Sequence, residues 1–329
     1  MGCDKISIMA PWCDAQRMDP SSHQNPAFQL GFYLPDTVPG TGSYSAFEKL
    51  IGAKIDLISF YWSWGLGKSQ APFDWIQAIL ADEKLPLVTW EPWVIPADYK
   101  HPARSIADPN FRLRRIVEGR FDDYVCFWAR GLKRIGGRIL LRPMHEMNGN
   151  WYPWCGTVND NRPQEFILAW KHLYGLFARE RLDHVKWVWS PYALSVPTTA
   201  ANEMECYYPG DEYVDWIGLD GYNWGDTREW SRWQTFESVF GCAYRAVTRM
   251  SAKPIMIPEM GCAESGGNKA TWIRDAVLSI REAYPRLGAV TWFNVNKECD
   301  WRVESSDESL SSFRENWRSK SKRGGCDAL

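Results

Sequence analysis

Short apolar runs that read as strands alternate with helix-like segments along nearly the whole chain, and this alternation restricts the fold more than any other feature. The runs fall at 28–34, 55–62, 86–93, 138–144, 185–190, 216–220, 254–259 and 289–294. Helical patterns are predicted over 43–51, 73–81, 121–135, 163–181, 236–250 and 270–283, with a last one at 310–317. Strands that are apolar on both faces must be covered on both sides, which calls for a parallel sheet wrapped in helices. Eight such repeats in a chain of 329 residues predict an α/β fold, a single-domain (β/α)8 TIM barrel with long loops at its C-terminal face. A doubly wound sheet is the alternative, but no Gly-rich dinucleotide turn follows the first strand. The expected organisation is an irregular lead at 1–27 packing on the barrel, the barrel at 28–318, and a frayed tail at 319–329.

Composition narrows the partners. The formal net charge is −2 and the basic residues are dispersed, which argues against nucleic acid or an anionic membrane surface. The densest basic cluster, at 318–323, lies in a Gly-rich tail and reads as a solvated end. No apolar run reaches the roughly 18 residues of a membrane span. No signal peptide is visible, and Met1-Gly2 is followed by Ile6 where myristoylation wants Ser or Thr. Nine cysteines, an odd count without CxxC spacing, predict free and mostly buried thiols. Compartment stays open between a reducing one and export with a leader outside this chain. A monomer is expected.

The 20 Trp, 14 Tyr and 14 Phe are more than a core of this size needs, and the indole N–H wants a partner when buried. Many of these rings are therefore expected to line a surface or cleft.

In a (β/α)8 barrel the active site forms at the C-terminal strand ends. Those ends carry Trp62, Trp64, Trp90, Glu91, Trp93, Arg142, His145, Glu146, Trp189, Tyr192, Asp220, Tyr222, Asn223, Glu259, Trp292, Asn294 and Asn296. They offer no lysine for Schiff-base chemistry. The five histidines are far apart, and His145-Glu146-Met147-Asn148-Gly149 lacks the second histidine of a zinc HExxH motif, so neither metal nor cofactor is expected. Carboxylates among flat rings remain. Glycosidic bonds are cleaved by two carboxyl groups, one protonating the leaving oxygen and one acting at the anomeric carbon. Glu146 and Glu259 end the fourth and seventh predicted strands, across the barrel mouth from each other. Arg142 and Tyr222 are placed to hold Glu259 ionised, because a cation and a phenol donor both favour the carboxylate.

The stretch Arg142-Pro143-Met144-His145-Glu146-Met147-Asn148-Gly149-Asn150-Trp151 resembles the acid/base signature of glycoside hydrolase family 26, and the resemblance runs from about Phe28 to Arg302. It implies a retaining endo-β-glycanase that cuts β-mannan, mixed-linkage β-glucan or xylan, with a polysaccharide as partner. By that resemblance Glu146 is the general acid/base and Glu259, in Ile257-Pro258-Glu259-Met260-Gly261, the nucleophile. His145 hydrogen-bonds the sugar, Trp151 flanks it, Tyr222 bonds the nucleophile and Trp292 is a stacking floor. Trp93 and Asn148 complete the expected substrate contacts. Trp151-Tyr152-Pro153-Trp154-Cys155-Gly156 departs from the mannan-cutting pattern and is reminiscent of the mixed-linkage glucan branch. A carbohydrate-binding protein on an inactive barrel is the rival reading. A barrel isomerase or lyase acting on phosphorylated substrates is the third.

Overall fold

A computed structural model describes residues 28–40, 42–65, 71–95 and 107–317. The expected lead at 1–27 and tail at 319–329 lie outside the described residues. Eight strands, β1 (Gln29–Tyr33), β2 (Leu57–Ser63), β3 (Leu85–Glu91), β4 (Ile139–Pro143), β5 (Val185–Trp189), β6 (Trp216–Asn223), β7 (Ile255–Cys262) and β8 (Leu287–Phe293), pair in parallel and in chain order. The pairing of β8 with β1 closes the barrel. Closure is tight along that seam: a Cβ on Gly31 would lie 2.7 Å from Thr291 Oγ1 and 2.8 Å from Leu57. The described helices are α1 (Ser45–Ile51), α2 (Phe73–Ala81), α3 (Leu113–Val117), α4 (Asp122–Ile135), α5 (Pro163–Ala178), α6 (Phe236–Met250), α7 (Lys269–Ala283) and α8 (Asp307–Asn316). Short 3-10 turns take the place of a helix between β5 and β6.

Local chemistry explains the helix ends. Helix α4 begins with Asp122 and Asp123 and finishes with Lys133 and Arg134, matching charge to the helix dipole. Pro163 opens α5, while the side chains of Thr235 and Asn268 cap α6 and α7 by accepting backbone N–H bonds. Helix α7 thus starts directly after the turn at 264–268. None of the described helices is long and apolar enough to cross a membrane.

Side chains on a strand alternate between the barrel interior and the helix layer. A small cluster made only of strand residues, including Leu57, Leu87, Leu140, Val188, Met256 and Ala289 with Trp216, fills the lower interior. Above it the interior turns polar, with Ser59, Thr89, Arg142, Ser190 and Asp220 all buried. The alternating partners face outward. Trp90 meets Trp64, Tyr124 and Trp128, and Trp292 meets Trp272, Phe313 and Trp317.

Four expectations are corrected here. Most tryptophans pack between barrel and helices rather than along a cleft. Some indole N–H groups there are satisfied by main-chain carbonyls, as in Trp170 to Tyr213 and Trp272 to Gln234, while those of Trp64, Trp90, Trp128 and Trp189 are buried without a hydrogen-bond partner among the described residues. Trp292 is no stacking floor: it is fully buried in the outer layer and donates to the Trp301 carbonyl at 2.7 Å. Among the described cysteines only Cys155 and Cys262 are buried; Cys126, Cys206 and Cys299 are half-buried and Cys242 is exposed, all free. Strands β6 and β7 outrun their predicted ends, so Glu259 lies within a strand rather than at its tip.

Because Trp292 is a core residue, Trp292→Ala is expected to lower stability by roughly 3–5 kcal/mol in urea denaturation. A loss well below 1 kcal/mol would return this ring to the cleft.

Candidate active site

Strand β4 stops at Pro143, and the chain then turns through two non-glycine residues in the left-handed region, Met144 (φ 51°) and Glu146 (φ 53°). Such backbone costs of order 1–3 kcal/mol per residue and persists only where surrounding bonds enforce it. Here they do. Glu146 N donates to Ser190 O at 2.7 Å, Gly149 N to Glu146 O at 2.9 Å, and Trp154 Nε1 to His145 O at 2.7 Å. The kink carries the Glu146 carboxyl off the strand, where Trp151 Nε1 donates to its Oε2 at 2.7 Å. Gly149 makes room for that indole, since a Cβ there would sit 2.6 Å from the Trp151 ring.

Glu259 on β7 is gripped from two sides. Arg142 Nη2 donates to its Oε1 at 2.5 Å and Tyr222 Oη to its Oε2 at 2.6 Å. Arg142 is itself fully buried; it also donates to Asp220 Oδ1 at 2.8 Å and to Thr89 Oγ1, while Ser190 Oγ donates to Asp220 Oδ2. The register sets Asp220 opposite Glu259 across the β6–β7 seam.

These surroundings push two carboxyls in opposite directions. Burial alone would raise Glu259, but the charges of Arg142 and His145 and the Tyr222 hydroxyl outweigh it and bring its pKa down to about 2. Burial lifts Glu146 well above the usual carboxylate range, and the negative charges of Glu259 and Asp220 lift it further, against the Trp151 bond and Arg142. The pair is therefore driven apart, Glu259 towards the carboxylate and Glu146 towards the carboxylic acid. Asp220 is raised by burial and by Glu259 despite its bond to Arg142, as expected when one cation serves two acids.

Both glutamates line a cleft of about 300 Å³ at the barrel mouth, together with Tyr33, Tyr61, Glu91, Trp93, Tyr152, Tyr222, Trp224, Phe293, Lys297, Glu298 and Trp301. Of the expected site residues, the fold brings Glu146, Glu259, Trp93, Tyr222, Trp151 and Arg142 together here. Two others are corrected. His145 is wholly enclosed by Tyr61, Tyr152 and Trp154, with Nε2 3.8 Å from Glu259 Oε1, so it flanks the carboxylate instead of touching a sugar. Asn148 is also buried and ties loops together, donating to Tyr192 O and Ser195 Oγ and accepting from Tyr192 N.

Several wall residues had no assigned role in the sequence reading. Phe293 faces the cleft because its neighbour Trp292 faces away, and it stacks on Tyr33 at 4.9 Å. Strand alternation was the available signal for this swap. Trp301, from the loop after β8, packs 4.9 Å from Tyr222. Glu91, at the end of β3, is a third cleft carboxyl; it accepts from Trp93 Nε1 at 3.2 Å.

At the mouth of this closed (β/α)8 barrel two carboxyls driven towards opposite protonation share one aromatic cleft, an arrangement that matches the two-carboxyl pattern of glycoside-cleaving barrels. A family model described as Glycosyl hydrolase family 26 matches residues 36–275, and the chain belongs to that family. It is 36% identical over 300 residues to endoglucanase H of Acetivibrio thermocellus, covering 88% of this chain and 30% of that protein. It is 27% identical over 220 residues to mannan endo-1,4-beta-mannosidase A and B of Caldalkalibacillus mannanilyticus, covering 63% of this chain and 38% of that one. The chain thus spans well under half the length of these two curated relatives. Among solved structures, a GH26 beta-mannanase from Bacteroides ovatus shares the fold with a TM-score of 0.64 at 18% identity, covering 89% of each chain. A Cellulomonas fimi endo-beta-1,4-mannanase double mutant does so with 0.65 at 17% identity, covering 88% of this chain and 70% of that one.

Burial raises the Glu91 carboxyl from 4.5 to about 7, with Glu259 adding to the effect and the Trp93 bond opposing it. A folded-state value above the unfolded one means full stability below about pH 4.5 and a progressive loss as pH rises through 7. That interval corresponds to roughly 3 kcal/mol as an upper bound. Glu91→Gln, which keeps an oxygen for Trp93, is expected to raise Tm over wild type at pH 8 and much less at pH 4.5. A Tm difference that does not change with pH would contradict the assignment.

Proposed function

We propose that this barrel is a retaining endo-β-1,4-glycanase that hydrolyses a plant-type β-glycan by double displacement. The observation that carries the reading is the meeting of Glu146 and Glu259 in one cleft, each fixed by its own donor, with surroundings that drive the two towards opposite protonation. Glu259 attacks the anomeric carbon while Glu146 gives its proton to the leaving oxygen, breaking the glycosidic bond and leaving a glycosyl ester on Glu259. Once esterified, Glu259 no longer bears the charge that helped to raise Glu146. The newly ionised Glu146 is then fit to take a proton from the water that cleaves the ester, restoring both groups.

Arg142, His145 and Tyr222 act on this cycle by holding Glu259 ionised and oriented. The rings of Trp93, Tyr152, Trp224, Phe293 and Trp301 offer faces to pyranose rings, and Glu91 and Glu298 offer acceptors to hydroxyls. For substrate, the longer and more similar match to a protein named endoglucanase supports a β-glucan, mixed-linkage β-1,3-1,4-glucan foremost, with β-mannan second and xylan third.

Reducing-sugar release from barley β-glucan, mannan and xylan tests the substrate, and binding without release from any of them favours a carbohydrate-binding protein. Glu146→Ala is expected to lose roughly 10²–10⁴-fold on the polysaccharide, and less on an aryl glycoside whose leaving group needs no proton. Equal losses on both would remove Glu146 from the acid role. Glu259→Ala is expected to abolish turnover, with azide restoring it as the glycosyl azide of inverted configuration. Arg142→Lys weakens the grip on Glu259, so the acidic limb of the kcat/KM profile is expected to move to higher pH; an unmoved limb would separate Arg142 from the ionisation of Glu259.

A further inference from the structure

The loop after β6 carries an exposed ring that no packing requirement explains. Trp230 is 66% exposed although most tryptophans of this chain are buried. An indole left in water gives up a large share of the apolar contact it is able to make. Its neighbour Trp224 lines the cleft, and the two rings meet edge to face at 5.3 Å.

The segment between them is braced rather than loose. Thr227 Oγ1 donates to Trp224 O at 2.7 Å and Ser231 Oγ to Gly225 O at 2.7 Å, while the Asn223 carboxamide oxygen accepts from Gly225 N and Gln234 N. Arg228 lies over the Trp224 ring at 5.5 Å and donates to Glu298 O, tying this loop to the one that follows β8. Gly225 takes a left-handed φ of 52°, and a Cβ there would collide with Ser265 O at 1.8 Å. An exposed aromatic on a pre-ordered loop loses little conformational entropy when it binds.

Its side of the cleft follows from the contacts. Glu146 protonates the leaving oxygen, so the leaving half of the chain runs past Glu146. Trp151, bonded to Glu146, meets Tyr192 at 5.3 Å, and Tyr192 packs on the cluster that contains Trp224. Trp224 and Trp230 continue that line outward.

We infer that Trp230, with Trp224 behind it, forms a stacking platform for a further pyranose ring of the leaving portion of the polysaccharide. This rests on the hydrolase reading above and deepens it by assigning a binding position beyond the catalytic pair. A platform outside the reacting centre binds ground state and transition state alike, so it acts on KM.

The test compares wild type, Trp230→Ala and Trp230→Phe on barley β-glucan and on an aryl glycoside too short to reach position 230. Trp230→Ala is expected to raise KM on barley β-glucan roughly tenfold, a plausible loss for one stacked aromatic, with kcat held within about twofold. Trp230→Phe is expected to recover most of the loss, and the short substrate to be affected far less. An unchanged polymer KM in Trp230→Ala, beside an active wild type, overturns the platform and leaves the hydrolase reading intact. A fall in kcat alone, or an equal loss on both substrates, overturns it too. A wild type that is active on mannan or xylan instead moves the same KM comparison to that polymer. A wild type inactive on all three and on the aryl glycoside removes the hydrolase reading, and the platform falls with it.

Discussion

One buried cation organises the upper half of this barrel. The Arg142 guanidinium lies fully covered in the barrel interior, and a charge there is tolerable only with partners close by. It has them on three strands: Thr89 on β3, Asp220 on β6 and Glu259 on β7. Arg142 presents its donors in a fixed fork, so these partners are located relative to one another as well as to the cation. A single positive charge fully compensates one negative one. The structure resolves this inequality by leaving Glu259 ionised and pushing Asp220 and Glu146 towards their protonated forms. The protonation pattern of the mouth is therefore a property of the network and of no single residue.

The network also explains why the interior changes character along its axis. The lower layer, Leu57 to Ala289, is apolar and closes the barrel by packing. Above it Arg142, Asp220 and Glu259 each bond to a hydroxyl and a charged partner, and the strain at Met144 and Glu146 is held by bonds anchored in that region. Stability comes chiefly from below and outside, where tryptophans fill the space between strands and helices. The upper layer spends part of that stability on a fixed arrangement of charge.

The eight strands were legible in the chain because strands covered on both faces leave continuous apolar runs, and Phe73–Ala81 and Phe236–Met250 carry their helical period without interruption. That Glu146 and Glu259 meet at the barrel mouth was legible from the predicted ends of their strands, although β7 runs on past Glu259 to Cys262. Side-chain direction was harder to read. Trp292 and Phe293 are adjacent and both aromatic, and only the barrel's pleat decides which of them meets the cleft. His145 and Asn148 lie in a loop whose left-handed turns no local propensity announces, so their burial could not be inferred from neighbours in sequence. Trp301 reaches the cleft from a loop held by long-range bonds: Lys269, almost wholly buried, donates to the carbonyls of Asp300 and Arg302 on either side of it. Such tertiary clamps have no signature in a single sequence.

The indole that bonds Glu146 has one more consequence. Its N–H is donated to Oε2, which leaves Oε1 the better place for the mobile hydrogen. On the mechanism proposed above, delivery of the proton to the departing oxygen would then run along one edge of the acid, a bond between neighbours five residues apart choosing that edge.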